Sequence, residues 1–475
     1  MADGRSLEDR LAALERQLVA AQREVAHLRK ENSALKERVR DLESRLRRSS
    51  FNSSTPPSAD PPWIPAREKA PTGRRPGGQP GHPGKTRRPF APEDVDEVVR
   101  VAPVRCGGCG KSLRHAPSTG RALVHQVVDL PPTAAQVTEY RCEERRCTCG
   151  ETTRAELPEG VPAGVAGPRL QAVVALLTGR YRLSRREAKE AVEALYGPKA
   201  RLSLGTVVAL EQRTAESLEE IHAEAREAVR GTAVVHADET LWREGLRKAW
   251  LWSAVTRTLA VFHVDPERSR KAFRRLMGPY RGTLVTDRWI SYHSHPPTRR
   301  QICWAHLKRN FQEIVERKDG ASVLGRAGLK ASRAVMEAWW RFRDGEIGRS
   351  RLKQILQPVR TRFLRAVLRH VRNPVPIAAA TCKDLLRRWT ALWTFTRRDG
   401  VEPNNNAAER AIRKAVLWRK GSFGCASKAG SRYVERMLTV SESLRLQGRD
   451  VLGFLQDAVL ADLHGQPAPS LVTRA

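Results

Sequence analysis

The chain lacks any apolar run long enough to cross a bilayer. Its longest, such as Leu170 to Leu177, stop far short of the roughly 20 residues that a spanning helix needs. The N-terminus is charged from Arg5 onward and has no apolar signal core, so the expected location is the cytoplasm, at the nucleoid, with no membrane partner. Acid is also in short supply: 52 Asp and Glu stand against 85 Lys and Arg, a formal charge of +33. Such an excess implies a polyanionic partner, because each phosphate neutralised by Lys or Arg releases condensed counterions. Charge alone does not choose between DNA, RNA and a membrane surface. Cysteine is sparse and unevenly placed: of 8 in the chain, five fall between Cys106 and Cys149, while Cys303, Cys382 and Cys425 are scattered. In a reducing compartment that distribution suggests a metal site rather than disulfides.

What is present divides 475 residues into several units, as expected of a chain too long for one core. Residues 1–48 carry a seven-residue period, with Leu11, Leu18, Val25, Asn32, Val39 and Leu46 at one seam position and Leu7, Leu14, Ala21, Leu28, Leu35 and Leu42 at the other. Asn32 is the polar member, suited to fixing register in a parallel pair, and Glu24 with Arg29 or Glu31 with Lys36 would meet across the dimer with opposite charge. The expectation is a parallel homodimeric coiled coil through residues 7–46, against a lone amphipathic helix. Residues 49–92 turn to Pro, Gly, Ser and Arg with almost no aliphatic residues, which marks a disordered basic linker. Residues 93–162 hold Cys106-Gly107-Gly108-Cys109 and then Cys142, Cys147 and Cys149, separated by β-rich stretches over Leu123 to Leu130 and Ala135 to Tyr140. This pattern reads as a zinc-ribbon-like β unit binding structural Zn²⁺ through Cys106, Cys109, Cys147 and Cys149, with Cys142 in reserve. Residues 163–230 read as a helix-turn-helix-like helical unit, with Ser184 and Ser203 where N-caps fall.

The catalytic expectation rests on residues 231–317 and 401–460, interrupted by an α-helical insertion over 318–400 and followed by a tail, 461–475. Strands are expected at Thr232 to Asp238, Ala249 to Thr256, Leu259 to Val264 and Thr283 to Asp287, with a helix from Pro266 to Met277 before the last. That order is α/β, an RNase H-like core. Strand alternation sends His236 and Asp238 to one face and Glu239 to the other. Asp287 then ends the strand expected beside that of Asp238, and Glu409 lies early in a helix after the turn residues Asn404 to Asn406. Two bare carboxylates at about 4 Å repel by about 4 kcal/mol at an effective dielectric near 20, so a cation or a retained proton must offset them. Read singly, Glu409 is equally an exposed partner of Arg413, and His306 a structural histidine. The tryptophans of the insertion, Trp339, Trp340, Trp389 and Trp393, read as packing.

Asp238-Glu239-Thr240 with Trp242, Thr286-Asp287-Arg288 with Tyr292, Cys303-Trp304-Ala305-His306-Leu307-Lys308-Arg309-Asn310-Phe311 and Asn405-Asn406-Ala407-Ala408-Glu409-Arg410 resemble, in order, the signature blocks of the insertion-sequence 66 family of DDE transposases. The likeness extends to the coil, the Gly77-Gly78-Gln79-Pro80-Gly81-His82 stretch and the cysteine cluster. It implies an RNase H-like polynucleotidyl transferase with Asp238, Asp287 and Glu409 as catalytic acids holding two Mg²⁺ or Mn²⁺ ions. Arg288, Arg410, Arg413 and Lys414 would contact DNA phosphates. The implied partners are double-stranded DNA, both the element's terminal inverted repeats and the target, and helper proteins of the same element. The competing expectations are a dimeric zinc-containing DNA-binding regulator without catalysis and an RNase H-like hydrolytic nuclease. A peptide covering residues 1–48 is expected to sediment as a dimer at high micromolar concentration; a monomer there would sink the zipper.

Overall fold

The computed structural model describes Leu18, residues 21–32, residues 35–36 and Val39 of an N-terminal helix, and residues 89–472 apart from Ala122, Pro132 and Lys318. Along the N-terminal helix the seam residues Leu18, Val25, Leu28, Leu35 and Val39 are 46–59 % exposed. A single chain leaves this apolar stripe uncovered. The seam positions Leu7, Leu11, Leu14, Leu42 and Leu46, and the linker up to residue 88, lie outside the described residues.

Among the described residues between 89 and 165, none is buried. A short antiparallel hairpin, β1 (Glu144–Arg146) with β2 (Thr152–Arg154), stands there. The strands expected over 123–130 and 135–140 do not form. Leu123, Val127, Leu130 and Val137 are exposed, and alternating residues with no sheet to pair with do not hold an extended ladder.

Four helices lead into the core: α1 (Pro168–Ala175), α2 (Arg185–Tyr196), α3 (Leu204–Ser217) and α4 (Glu219–Gly231). The expected caps are present. Ser184 Oγ accepts from Glu187 N at 3.2 Å while the Glu187 carboxylate accepts from Ser184 N at 2.8 Å, and Ser203 Oγ accepts from Thr206 N at 3.0 Å.

The sheet follows as β3 (Val234–Glu244), β4 (Arg247–Val255), β5 (Ala260–Asp265), α5 (Arg270–Met277), β6 (Thr283–Thr286) and β7 (Arg300–Ile302). Its spatial order is β5-β4-β3-β6-β7, with the first three strands antiparallel and β6 and β7 parallel to β3. β3 runs beyond its expected end at Asp238 because Thr240 and Trp242 continue the alternation and pair with β4 down to Glu244 opposite Arg247. The tight turn between them places Gly245 at φ +60°, a left-handed conformation that favours glycine. Helix α5 begins later than expected, at Arg270, because Ser269 caps it by accepting from Ala272 N at 3.2 Å.

Helix α6 (Trp304–Glu316) leads into the insertion, which is carried by α7 (Ser322–Arg343), α8 (Arg349–His370) and α9 (Pro376–Arg387). Its core gathers Trp304, Phe311, Phe363 and Trp393 against Val285 and Ile302 of the sheet. Trp339 packs there as expected, whereas Trp340 is exposed. The chain then returns through α10 (Asn406–Ser422), α11 (Lys428–Gln447) and α12 (Val451–Leu463). Helix α10 covers one face of the sheet through Ala408, Ala411, Ile412 and Ala415. The opposite face packs on α4, α5 and α12.

Helix α11 lies along the edge strand β5 and feeds both cores, Val434 and Leu438 to one and Met437 and Leu444 to the other. Its polar side chains, four residues apart, accept the amides that a sixth strand would take. The Glu435 carboxylate accepts from Val264 N, Thr439 Oγ1 from Phe262 N at 3.1 Å and Ser443 Oγ from Ala260 N at 3.0 Å. An open row of N–H groups would otherwise be a template for aggregation. No helix among the described residues is long and apolar enough to cross a membrane. Replacing Thr439→Val together with Ser443→Ala leaves two buried amides unpaired and is expected to cost about 1–3 kcal/mol for each, read as a lower urea midpoint; an unchanged midpoint would contradict the edge-capping role.

Candidate functional site

Asp238 and Asp287 come together through sheet register. Val234 pairs with Thr283, Val235 with Leu284 and His236 with Val285. Continued two residues, the same offset sets Asp287 level with Asp238, on neighbouring parallel strands about 4.8 Å apart. Both point to the face covered by α10, as alternation from Trp242 requires. The segment carrying Asp287 is held firmly. Trp289 N donates to Asp287 Oδ1 at 2.8 Å, and the buried Arg300 guanidinium reaches the Asp287 carbonyl at 2.6 Å and Thr286 Oγ1 at 3.1 Å. Burial lowers the Arg300 guanidinium to about 10, so it stays charged at neutral pH.

Glu409 arrives on α10, and Asn405 docks that helix. The Asn405 amide nitrogen donates to the Ala237 carbonyl at 2.9 Å, its Oδ1 lies 3.2 Å from His236 Nδ1, and its backbone N–H donates to Cys303 Sγ at 3.2 Å. Asn405 is fully buried. It occupies the N-cap position of α10 without capping it, because its side chain is spent on β3. The turn is made instead by Asn404 Oδ1, which accepts from Asn406 N at 3.0 Å. Next to it, Trp304 N donates to the Pro403 carbonyl at 2.8 Å, so the start of α6 is fastened to the same loop.

The charges of Asp287 and Glu409 both act on Asp238. Burial above all, then Glu239, Asp287 and Glu409, hold its carboxyl well above the usual range. Bare, Asp238 is therefore held toward its neutral form. Glu239 faces the other side of β3, as alternation requires, and is occupied: Arg268 donates to its Oε1 at 2.9 Å and the Tyr292 hydroxyl to its Oε2. Arg268 in turn lies over the Trp289 ring at 3.8 Å. Glu239 is thus a structural brace behind the Asp287 segment.

The expected pairing of Glu409 with Arg413 is absent among the described residues. Glu409 Oε1 lies 3.4 Å from His306 Nδ1, and Cys303 Sγ belongs to the same group, with all three ligand atoms within 4.8 Å. His306 is therefore not the satisfied structural histidine that its sequence context suggests. Burial and the nearby Arg309 hold its imidazole below the usual range, and burial pushes the Cys303 thiol up to about 12. A cleft of about 320 Å³ opens beside them, lined by Asp287, Arg288, Trp289, His306, Arg309, Asn310 and Glu313.

Of the expected phosphate contacts, Arg288 lines this cleft but is engaged by Asp384 of α9 at 3.2 Å. Arg410 and Arg413 are exposed on α10, Lys414 is half-buried, and none has an acidic partner among the described residues. The cysteines form two separate knuckles. Gly110 N donates to the Cys106 carbonyl at 2.9 Å and Gly150 N to the Cys147 carbonyl at 3.0 Å. The backbone amide of Cys109 lowers the Cys106 thiol, and that of Cys149 lowers the Cys147 thiol. The two knuckles are not gathered into one four-sulfur group.

A family model described as the transposase IS66 family matches residues 163–433, more than half the chain and all three acids. The chain belongs to that family. A second model, a family of unknown function (DUF6444), matches residues 4–88. Two uncharacterised proteins of Sinorhizobium fredii are similar to this IS66-family chain. The protein y4qI is 24% identical over 251 residues, 47% of the chain and 46% of y4qI; y4hP is 23% identical over 421 residues, 81% of the chain and 75% of y4hP. The chain thus spans less than half the length of y4qI.

Sequence reasoning missed Asn405 as a tie between elements, Arg300 as a clamp and His306 as a neighbour of Glu409. The one available signal was the Cys303-x-x-His306 spacing at a helix start. Asp238→Asn is expected to raise stability in metal-free buffer, because a carboxyl with a raised folded pKa destabilises the fold above its unfolded value near 4. The gain should grow as pH rises from about 4 and vanish below it; a variant no more stable than wild type at pH 7 would refute the buried repulsion.

Proposed function

We propose that this IS66-family chain is a DDE transposase that cleaves element ends and joins them to target DNA on an RNase H-like core. The observation that carries the reading is the convergence of Asp238, Asp287 and Glu409, from β3, the end of β6 and α10, where the latter two charges act on the first. A central β3 flanked by antiparallel β4 and parallel β6 supports the fold assignment.

The residues fit divalent cations. Asp238 is buried among like charges, and Glu409 Oε1 is shielded from solvent without a hydrogen-bond partner, so positive charge would relieve both. When bound by the three acids, two Mg²⁺ or Mn²⁺ ions would activate water or a DNA 3′-hydroxyl and stabilise the leaving oxygen at phosphorus. The protein's own part is positioning. Arg300 and Trp289 N fix the Asp287 segment, Asn405 sets the start of the Glu409 helix against β3, and Glu239 with Arg268 supports the loop from behind. Arg410, Arg413 and Lys414 offer unpaired positive charge for DNA phosphates, and Arg288 would join them by exchanging Asp384 for phosphate.

The amide-lined Cys106–Cys109 and Cys147–Cys149 knuckles favour structural Zn²⁺, which would give residues 93–162 the organising centre that burial does not. The exposed seam of the N-terminal helix favours a homodimer.

Purified protein incubated with labelled element ends, a target plasmid and Mg²⁺ is expected to give joined product. Asp238→Ala, Asp287→Ala and Glu409→Ala should each lose joining by at least about 100-fold. Cleaved ends that never join would indicate a nuclease, and end binding indifferent to the acids, with no cleavage, would indicate a regulator.

A further inference from the structure

We infer that His306 is a direct ligand of a divalent cation held by Glu409, its Nδ1 and the Glu409 Oε1 forming adjacent positions of one coordination sphere. This rests on the metal-binding reading above and adds a nitrogen to a site otherwise built from carboxylates. The separation of the two atoms is the first argument. At 3.4 Å they are too far apart for the charge-assisted hydrogen bond of an imidazolium and a carboxylate, normally about 2.7–2.9 Å. Two ligands each about 2.1 Å from one cation, set at right to tetrahedral angles, lie about 3.0–3.4 Å apart.

Satisfaction is the second argument. Both atoms are closed off from solvent and neither has a hydrogen-bond partner. Orphaned buried polar atoms are uncommon, and two facing each other across such a gap call for something between them. The third is rigidity. His306 lies in the first turn of α6 and Glu409 in the first turn of α10, and the two starts are tied by Trp304 N on the Pro403 carbonyl and by Asn405 N on Cys303 Sγ. Cys303 Sγ, though within the same group, already accepts that amide and serves as a support. The cleft beside His306 leaves room for water or a phosphate oxygen to complete the sphere. An imidazole nitrogen among the ligands favours a transition ion such as Mn²⁺ over Mg²⁺.

Pulsed electron paramagnetic resonance of Mn²⁺ bound to the full chain tests this. Wild type is expected to show nitrogen hyperfine modulation from a coordinated imidazole. The signal should be lost in His306→Gln, with Mn²⁺ affinity reduced roughly tenfold, and kept in the exposed control His464→Gln. Isotopically labelled histidine in the wild-type chain should change the modulation, a measurement that needs no variant to fold. Bound Mn²⁺ without nitrogen modulation, or modulation that survives His306→Gln, overturns the ligand assignment and leaves the three-acid site standing. Mn²⁺ binding indifferent to Asp238→Asn and Glu409→Gln overturns the metal reading itself, and this inference with it.

Discussion

The site depends on one buried amide. Asn405 joins the central strand to the helix that brings Glu409, and through its backbone N–H it also reaches the start of α6. An amide suits this position because it donates to the Ala237 carbonyl and accepts near His236 at once, where a carboxylate could only accept. Burial lowers the His236 imidazole to about 4, so it is neutral, and its one ring proton on Nδ1 would be donated to the Asn405 oxygen. A neutral pair in this place adds no charge to a region already crowded with acids. Without it, the start of α10 would rest on β3 through apolar packing of Ala408, Ala411 and Ile412, which fixes distance less sharply than directed bonds do.

Charge is arranged in layers around that tie. The chain carries +33 overall, yet its centre collects Asp238, Asp287, Glu239 and Glu409. Those acids are treated differently. Glu239 accepts from the Arg268 guanidinium and the Tyr292 hydroxyl on the far face of β3, whereas Asp238 has no cationic partner among the described residues. Arg300 places a positive charge near Asp287, but spends its hydrogen bonds on the Asp287 and Tyr292 carbonyls and the Thr286 hydroxyl rather than on a carboxylate. The fold therefore pairs the acid that braces it and leaves without a cation the acid that stands among Asp287 and Glu409.

Four of the five strands were legible in the sequence because they alternate cleanly, whereas the three-residue β7 is too short to show a period and β3 runs past Asp238. The faces of Asp238 and Glu239 followed from parity alone, and the offset between Asp238 and Asp287 matches the observed register of β3 with β6. Glu409 was legible as an acid early in a helix, but its partner was not: local spacing favours Arg413, while the side chain meets His306 across the fold. Asn405 was legible only as a turn residue for a similar reason, since a turn is a local property and its bonds to Ala237 and His236 are long-range. The β stretches between the cysteines were read from alternation that has no pairing partner in a unit without a buried core.

The way α11 seals β5 has a consequence for how the protein is made. Glu435, Thr439 and Ser443 emerge from the ribosome long after Ala260, Phe262 and Val264, whose amides they cover. Asp238 and Asp287 likewise wait for Glu409. From the completion of β7 at Ile302 until the last helices emerge, the nascent chain therefore carries a sheet with an open edge and an incomplete acid cluster, and the two successive helices α10 and α11 close both defects. A chain that ended within the helical insertion would keep the open β5 edge and lack Glu409, so edge protection and the third acid are gained together.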